Sequence, residues 1–178
     1  VITVSHNHYD HMDVSTLRQL DKKFHPVFLT GLGNGTFLQH KGLDNVHTLD
    51  WWQEKTLKGI HMTAVPAQHF SGRGGFDRNK TLWMGFLINT PKGTIYFSGD
   101  TAAGPHFELI HEKYGAPYLA ILPVGAYEPR NFMHSSHINP AEAVSAFKTL
   151  GAKYAIGVHY ETFAGLTDEP LGDVYTKL

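Results

Sequence analysis

Short apolar runs alternate along this chain with stretches of helical period, and polar residues repeatedly stand where the apolar runs stop. Val1–Val4 reads as a strand, followed by a loop and a helix from Val14 to Phe24, with Asp13 as N-cap and Leu17, Leu20 and Phe24 at helical spacing. Pro26–Thr30 reads as a second strand, Gly31 and Gly33 turn the chain toward a short helix near Thr36–His40, and Val46–Leu49 is a further strand. Strands at Gly59–Val65 and Leu82–Thr90 flank a loop that carries Gln68, His69, Arg73 and the paired glycines Gly74 and Gly75. Pro91-Lys92-Gly93 makes a tight turn into strand Thr94–Ser98, which runs into Gly99-Asp100-Thr101. A helix near Pro105–Tyr114, strand Tyr118–Pro123, a loop through Gly125–His137, a helix Pro140–Leu150 and strand Tyr154–Val158 complete the pattern. The Pro140 helix has well-defined boundary chemistry: Asn139 at N-cap, Pro140 at N1, Glu142 at N3 and Gly151 past its end.

Strands and helices mixed in this way predict sheets covered by helices, in the α/β or α+β class. No repeat, low-complexity tract or linker divides the sequence, so residues 1–178 are expected to belong to a single domain. Val1 begins inside an apolar strand and Leu171–Leu178 begins what reads as another helix, so that domain is expected to be partial.

Composition narrows the function. A formal net charge of −1 disfavours nucleic acid as a partner, and 42% hydrophobic against 17% charged residues is the balance of a chain that can bury a core. With no cysteine, disulfides, thiolate zinc sites and a cysteine nucleophile are excluded, while the compartment stays open. No apolar run approaches the roughly 20 residues that span a bilayer, so the cytoplasm or the membrane periphery is the expected location. The unusual count is 13 histidines, close to the 15 Lys and Arg together. Imidazole is a common metal ligand and is largely neutral near pH 7, so the question is whether some of these side chains converge.

The sharpest motif is His6-Asn7-His8-Tyr9-Asp10-His11, at the end of the first strand. Alternate residues of an extended chain share a side, so His6 and His8 can grip one ion, and a turn after them can swing Asp10 and His11 toward another. Four donors do not saturate two ions. His69, Asp100 and His159 each follow a predicted strand, where side chains from one sheet edge converge. Taken singly, each has an ordinary reading as a hydrogen-bonded histidine or a turn aspartate.

In order and rough spacing these residues resemble the metallo-β-lactamase fold superfamily. The stretches SHNHYDHMD, PAQHFSGRGGFDRNKTLWMGF, FSGDT, PVGAYEPRNFMHSSHINPAEAV and HYETFAG are most similar to the branch containing N-acyl-phosphatidylethanolamine-hydrolysing phospholipase D and its bacterial relatives. The resemblance implies an αββα sandwich lacking its N-terminal β-rich part, with a two-metal site between its sheets. It also implies that His6, His8 and His69 hold one ion, that Asp10, His11 and His159 hold the second, and that Asp100 bridges them. A phospholipid or small-molecule substrate, peripheral membrane contact and the missing N-terminal segment are the partners to expect.

Imidazoles and carboxylates without thiolates suit Zn²⁺ best, with Fe or Mn chemically acceptable. The expected reaction is attack of a metal-held hydroxide on a phosphodiester, with Asp10 orienting the nucleophile and no protein nucleophile needed. A lactonase or other ester hydrolase, or a non-catalytic metal-binding fragment, is the competing reading. Tyr127 and His137, in the loop before a helix N-terminus, are candidate substrate contacts, and His137 is also a candidate catalytic donor to phosphate. Arg130 either ties that loop by an ion pair or touches substrate. Asp13 and Thr101 are candidates for orienting ligands, although the helix N-cap explains Asp13 equally well. Trp51, Trp52 and Phe70 line either the core or an acyl-binding surface. The histidines at 25, 40, 47, 61, 106, 111 and 134 have no motif context and read as surface or hydrogen-bonded residues.

Overall fold

A computed structural model describes residues 1–163 and 165–178, so that of the stretch HYETFAG only Ala164 lies outside the described residues. The chain divides into two compact units, one formed by residues 1–66 and 70–84, the other by residues 67–69 and 85–178.

The first unit begins with β1 (Ile2–Val4), α1 (Val14–Phe24), β2 (Phe28–Gly31), α2 (Asn34–His40) and β3 (Val46–Leu49). The three strands form a parallel sheet in the order β1-β2-β3, each step being made through a helix as parallel pairing requires. Residues Phe28 to Gly31 are all buried, as expected of a central parallel strand covered on both faces. Asp13 caps α1 by accepting the N–H groups of Ser15 and Thr16, and His25 ends the helix in the left-handed region at φ 44°. Val4, Met12, Leu17, Phe28, Leu38 and Leu43 form the core of this unit. Each such large side chain removed from water stabilises by about 1.5–3 kcal/mol. Phe24, at helical spacing from Leu17 and the last residue of α1, is 61% exposed, whereas Leu17 is buried.

β4 (Glu54–Leu57) and β5 (Ile60–Val65) make an antiparallel hairpin in this unit. β4 is absent from the sequence reading. Its turn uses Lys58 and Gly59, both at positive φ (52° and 79°), the backbone of a two-residue hairpin turn built without the usual Asn-Gly pair.

The second unit contains β6 (Gly85–Thr90), β7 (Gly93–Phe97), α3 (His106–Tyr114), β8 (Leu119–Pro123), α4 (Arg130–Met133), α5 (Pro140–Leu150), β9 (Tyr154–Val158) and α6 (Asp173–Lys177). β6 and β7 pair antiparallel, whereas β7, β8 and β9 lie parallel in that order. Three parallel strands therefore end on one side, and Asp100, Gly125 and His159 follow those ends. α5 carries a full capping box: Asn139 accepts the Glu142 N–H at 2.8 Å, and the Glu142 carboxylate accepts the Asn139 N–H at 2.8 Å. Val124, Tyr127, Ile138, Ala143 and Val174 form a core cluster. Among the described residues no helix is long and apolar enough to cross a membrane.

Candidate metal centre

In the first unit, β1 delivers Ser5 and His6 directly into the donor loop. The Ser5 hydroxyl lies 3.0 Å from His6 Nδ1, and His6 Nε2 lies 2.9 Å from His8 Nδ1. Two imidazole nitrogens sharing one zinc at about 2.0–2.1 Å in a tetrahedron would stand roughly 3.3 Å apart, close to this spacing. After His8 the chain turns sharply, with the N–H groups of His11 and Met12 both donating to the His8 carbonyl at 3.2 and 2.8 Å. That turn brings His11 Nε2 to 3.2 Å from the Asp10 carboxylate, and the His6 and His11 rings to 4.2 Å between centroids. The four donors of the motif are thus gathered on one short loop.

The second unit gathers its own donors around Asp100, which is 4% exposed. His159 Nε2 is 3.3 Å and His69 Nε2 is 3.8 Å from the same oxygen, Oδ2 of Asp100. His69 Nδ1 stands 2.9 Å from the Ser136 carbonyl. A carbonyl only accepts, so Nδ1 carries a proton, and Nε2, the atom facing Asp100, is the nitrogen left to a metal ion. His159 occupies the left-handed region at φ 62°, an uncommon conformation for a non-glycine residue and one found disproportionately at functional positions. The chemistry of these donors fits a divalent ion. Imidazole nitrogens and a carboxylate converge at strand ends, and a backbone carbonyl holds the Nδ1 side of His69, the outer-partner arrangement typical of metal-ligating histidines.

His137 also belongs to this cluster. It offers a ligand atom within 4.8 Å of those of His69 and Asp100, and its ring stacks on His159 at 5.6 Å. Thr101 ties two ligand-bearing segments together: Gln68 donates its N–H to Thr101 Oγ1 at 3.0 Å, and Ala102 N–H donates to the Gln68 carbonyl at 2.7 Å. Behind Thr101, buried His106 places Nε2 at 3.1 Å from the same hydroxyl, and burial lowers its pKa from 6.5 to about 4.

Other expectations resolve into structural roles. Tyr127, anticipated as a substrate contact, is 1% exposed and donates its hydroxyl to Asp173. That expectation is corrected: the ring is a core element, held by α6, and burial pushes its phenol pKa up. Arg130 ties the loop, donating Nη1 to the His137 carbonyl at 2.8 Å and pairing Nη2 with Glu142 at 2.8 Å. Asp13 acts as the α1 cap. Trp51 packs edge-on against Trp83 and donates its indole N–H to the Trp83 carbonyl at 2.7 Å, while Phe70 packs against the His8 ring at 4.5 Å. Ser5 and Ser136, which orient His6 and His69, escaped the sequence reading. A hydroxyl adjacent to a motif histidine signals the first, whereas the second acts through its backbone and leaves no residue-type signal.

Nitrogen and oxygen donors grouped at strand ends of an α/β fold are the donor chemistry of a metal site. The family model described as beta-lactamase superfamily domain matches residues 1–160, and the chain belongs to that family. It is 38% identical over 170 residues to the mitochondrial N-acyl-phosphatidylethanolamine-hydrolyzing phospholipase D of Saccharomyces cerevisiae, an alignment covering 92% of this chain and 36% of the relative. The chain therefore spans little more than a third of that relative's length. It is 31% identical over 178 residues to a metal-dependent hydrolase of Pyrobaculum aerophilum, covering 95% of this chain and 68% of the relative. Among solved structures it is similar to a metallo hydrolase from the archaeon Ignicoccus hospitalis, with a TM-score of 0.74 at 23% identity, covering 98% of this chain and 69% of the other. The fold is of the metallo-β-lactamase type, and the family is one of metal-dependent hydrolases.

Proposed function

We propose that this chain carries the metal site of a two-metal hydrolase that cleaves phosphodiester bonds, resembling phospholipase D. His6, His8 and His69 would hold one ion, Asp10, His11 and His159 the second, and Asp100 would bridge both. The observation that carries the reading is Asp100, whose single oxygen Oδ2 is approached by Nε2 of both His69 and His159. One carboxylate oxygen facing two imidazoles is the arrangement a bridging ligand needs. Two divalent ions, Zn²⁺ by the donor chemistry with Fe or Mn as alternatives, would supply an acidified water and offset the charge building on the phosphoryl oxygens.

The chain's own residues do the rest. Asp10, next to His11, orients the attacking water and takes its hydrogen bond. His137, whose ring lies 5.0 Å from that of His69, would donate to a phosphoryl oxygen or to the leaving alkoxide. Water adds to phosphorus, passing a proton toward Asp10, as the P–O bond to the alcohol breaks and the leaving alkoxide takes a proton from His137, giving a phosphomonoester and a neutral alcohol. A diacyl phospholipid substrate would put the reaction at a membrane surface.

The test is hydrolysis by the purified, zinc-loaded chain of N-acyl-phosphatidylethanolamine in mixed micelles, of a soluble nitrophenyl phosphodiester and of a lactone. Phosphodiester turnover that depends on metal and disappears in Asp100→Ala and His69→Ala is the expected result. Turnover of the lactone alone would transfer the site to carboxylic ester chemistry. Undiminished turnover in both variants would remove these residues from the site.

A further inference from the structure

The loop that carries four candidate donors is held from outside by a residue the mechanism leaves unused. Arg73 donates through a single nitrogen, Nη1, to the Asn7 carbonyl at 2.9 Å and the Met12 carbonyl at 2.8 Å. These carbonyls flank His8, Tyr9, Asp10 and His11, so one guanidinium joins the two ends of the donor loop. Both hydrogens of that terminal nitrogen are used, one for each carbonyl. The planar group also lies over the Tyr9 ring at 4.1 Å and the Phe37 ring at 5.1 Å, which fixes its plane as well as its reach.

A second contact runs the other way. Asn7, buried inside the motif, accepts the Gly72 N–H on its side-chain oxygen at 2.7 Å. The loop supplying Gly72 and Arg73 is itself braced. The Asp77 carboxylate accepts the N–H groups of Arg73 at 3.0 Å and Gly74 at 2.8 Å, which lowers its pKa. Ser71 closes the neck, donating its hydroxyl to the Thr81 carbonyl at 2.6 Å while its own carbonyl accepts the Asn79 N–H at 2.9 Å. A closed loop with internal ties gives Arg73 a fixed base from which to act.

We infer that Arg73 and Asn7 form a latch between the 71–81 loop and the His6–His11 loop that presets the metal donors, making them positioning residues for metal binding. The inference rests on the metal-site reading above. A donor loop that is free to splay must be ordered when an ion binds, and that ordering subtracts from affinity, whereas a latched loop has already been ordered by folding.

The test measures zinc affinity of the chain by competition with a chromophoric chelator, together with the visible spectrum of its Co²⁺ form and thermal unfolding of the metal-free protein. Arg73→Met and Asn7→Ala are expected to weaken zinc binding by about 10- to 100-fold, the usual effect of losing a group that orients metal ligands. They should also broaden the Co²⁺ bands. Arg73→Lys, which keeps the charge without the planar fork, should fall between, and millimolar methylguanidinium should restore affinity to Arg73→Ala. Val46→Ala, a truncation of a half-buried β3 side chain that makes none of the latch hydrogen bonds, should lower the unfolding midpoint while leaving affinity within about twofold, since a lost methyl pair acts mainly on stability.

The control separating the two readings is His6→Ala. Loss of zinc binding in His6→Ala with unchanged affinity in Arg73→Met and Asn7→Ala would overturn the latch and leave the metal site standing. Unchanged binding in His6→Ala would overturn the metal site and the latch with it. Val46→Ala losing as much affinity as Arg73→Met would also overturn the latch, because general destabilisation would then account for the effect.

Discussion

Gly125 and His159 meet backbone to backbone: a β-carbon on Gly125 would overlap the His159 carbonyl oxygen and lie 2.8 Å from Cα of Tyr160. Gly125 follows β8 and His159 follows β9, so only a residue without a side chain lets these neighbouring strand ends approach so closely. Two of the three nearest atoms such a β-carbon would meet are main chain and cannot rotate away. Gly125→Ala is therefore expected to shift His159 relative to Asp100, reducing zinc affinity at least tenfold and destabilising the fold by about 1–3 kcal/mol. Chelator competition and urea denaturation read the two effects separately. Wild-type affinity in Gly125→Ala would detach His159 from the metal site.

Asp100→Asn asks whether charge or shape matters at the shared oxygen. The amide keeps the volume but loses the negative charge facing two imidazoles. Removing a carboxylate ligand should leave secondary structure intact by circular dichroism while lowering the metal bound after gel filtration and abolishing metal-dependent hydrolysis. A variant that retained both its metal and its turnover would show that Asp100 is a hydrogen-bond partner of His69 and His159 rather than a ligand.

Several of these features could be read from the sequence because their chemistry is local. Asp13 before α1, and Asn139, Glu142 and Gly151 around α5, mark both helices through contacts a few residues apart. His6 to His11 is legible for the same reason. The packing role of Tyr127 is not legible locally, because its hydroxyl partner Asp173 lies 46 residues later and Val174 of its core cluster lies beside that partner. α4 was hidden as a single turn after Pro129, too short for any periodicity to register. Arg73 lies 66 residues from Asn7, and its targets are backbone carbonyls, which every residue possesses. A contact of that kind leaves no mark in the residue types on either side.

The α5 cap offers a test of stability independent of metal. Asn139→Ala removes the acceptor for the Glu142 N–H and should destabilise the protein by about 1 kcal/mol. Glu142→Ala removes the other half of the box together with the Arg130 ion pair, and so also loosens the Arg130 contact to the His137 carbonyl. Denaturant titration should place both variants below wild type. Only Glu142→Ala is expected to alter turnover, through His137.

Tyr127→Phe distinguishes a packing role from a substrate role. The ring stays and the hydroxyl that donates to Asp173 goes, while Asp173 keeps Lys177 at 2.7 Å. The unfolding midpoint should fall by a few degrees with kcat and KM unchanged. A raised KM at full stability would return Tyr127 to the substrate site.

His106 makes a pH-dependent contribution whose sign follows from burial. Its pKa is lowered from 6.5 to about 4 by desolvation in the folded protein, whereas the unfolded chain keeps the ordinary value. Above pH 6.5 the ring is neutral in both states and folding is unaffected. As pH falls from 6.5 toward 4, the unfolded chain takes up a proton that the folded protein refuses, so stability declines across this window. Below about pH 4 both states are protonated and the loss is complete, at most about 3 kcal/mol by the usual 1.36 kcal/mol per pKa unit. His106→Gln removes the titrating ring and keeps a polar group beside Thr101. It should be less stable than wild type at pH 7.5, through lost packing on Phe107, yet lose less stability between pH 7 and 4. Urea denaturation of both proteins in the presence of a chelator measures the difference in slope. Parallel curves would mean that His106 takes up its proton in the folded state as readily as in the unfolded one.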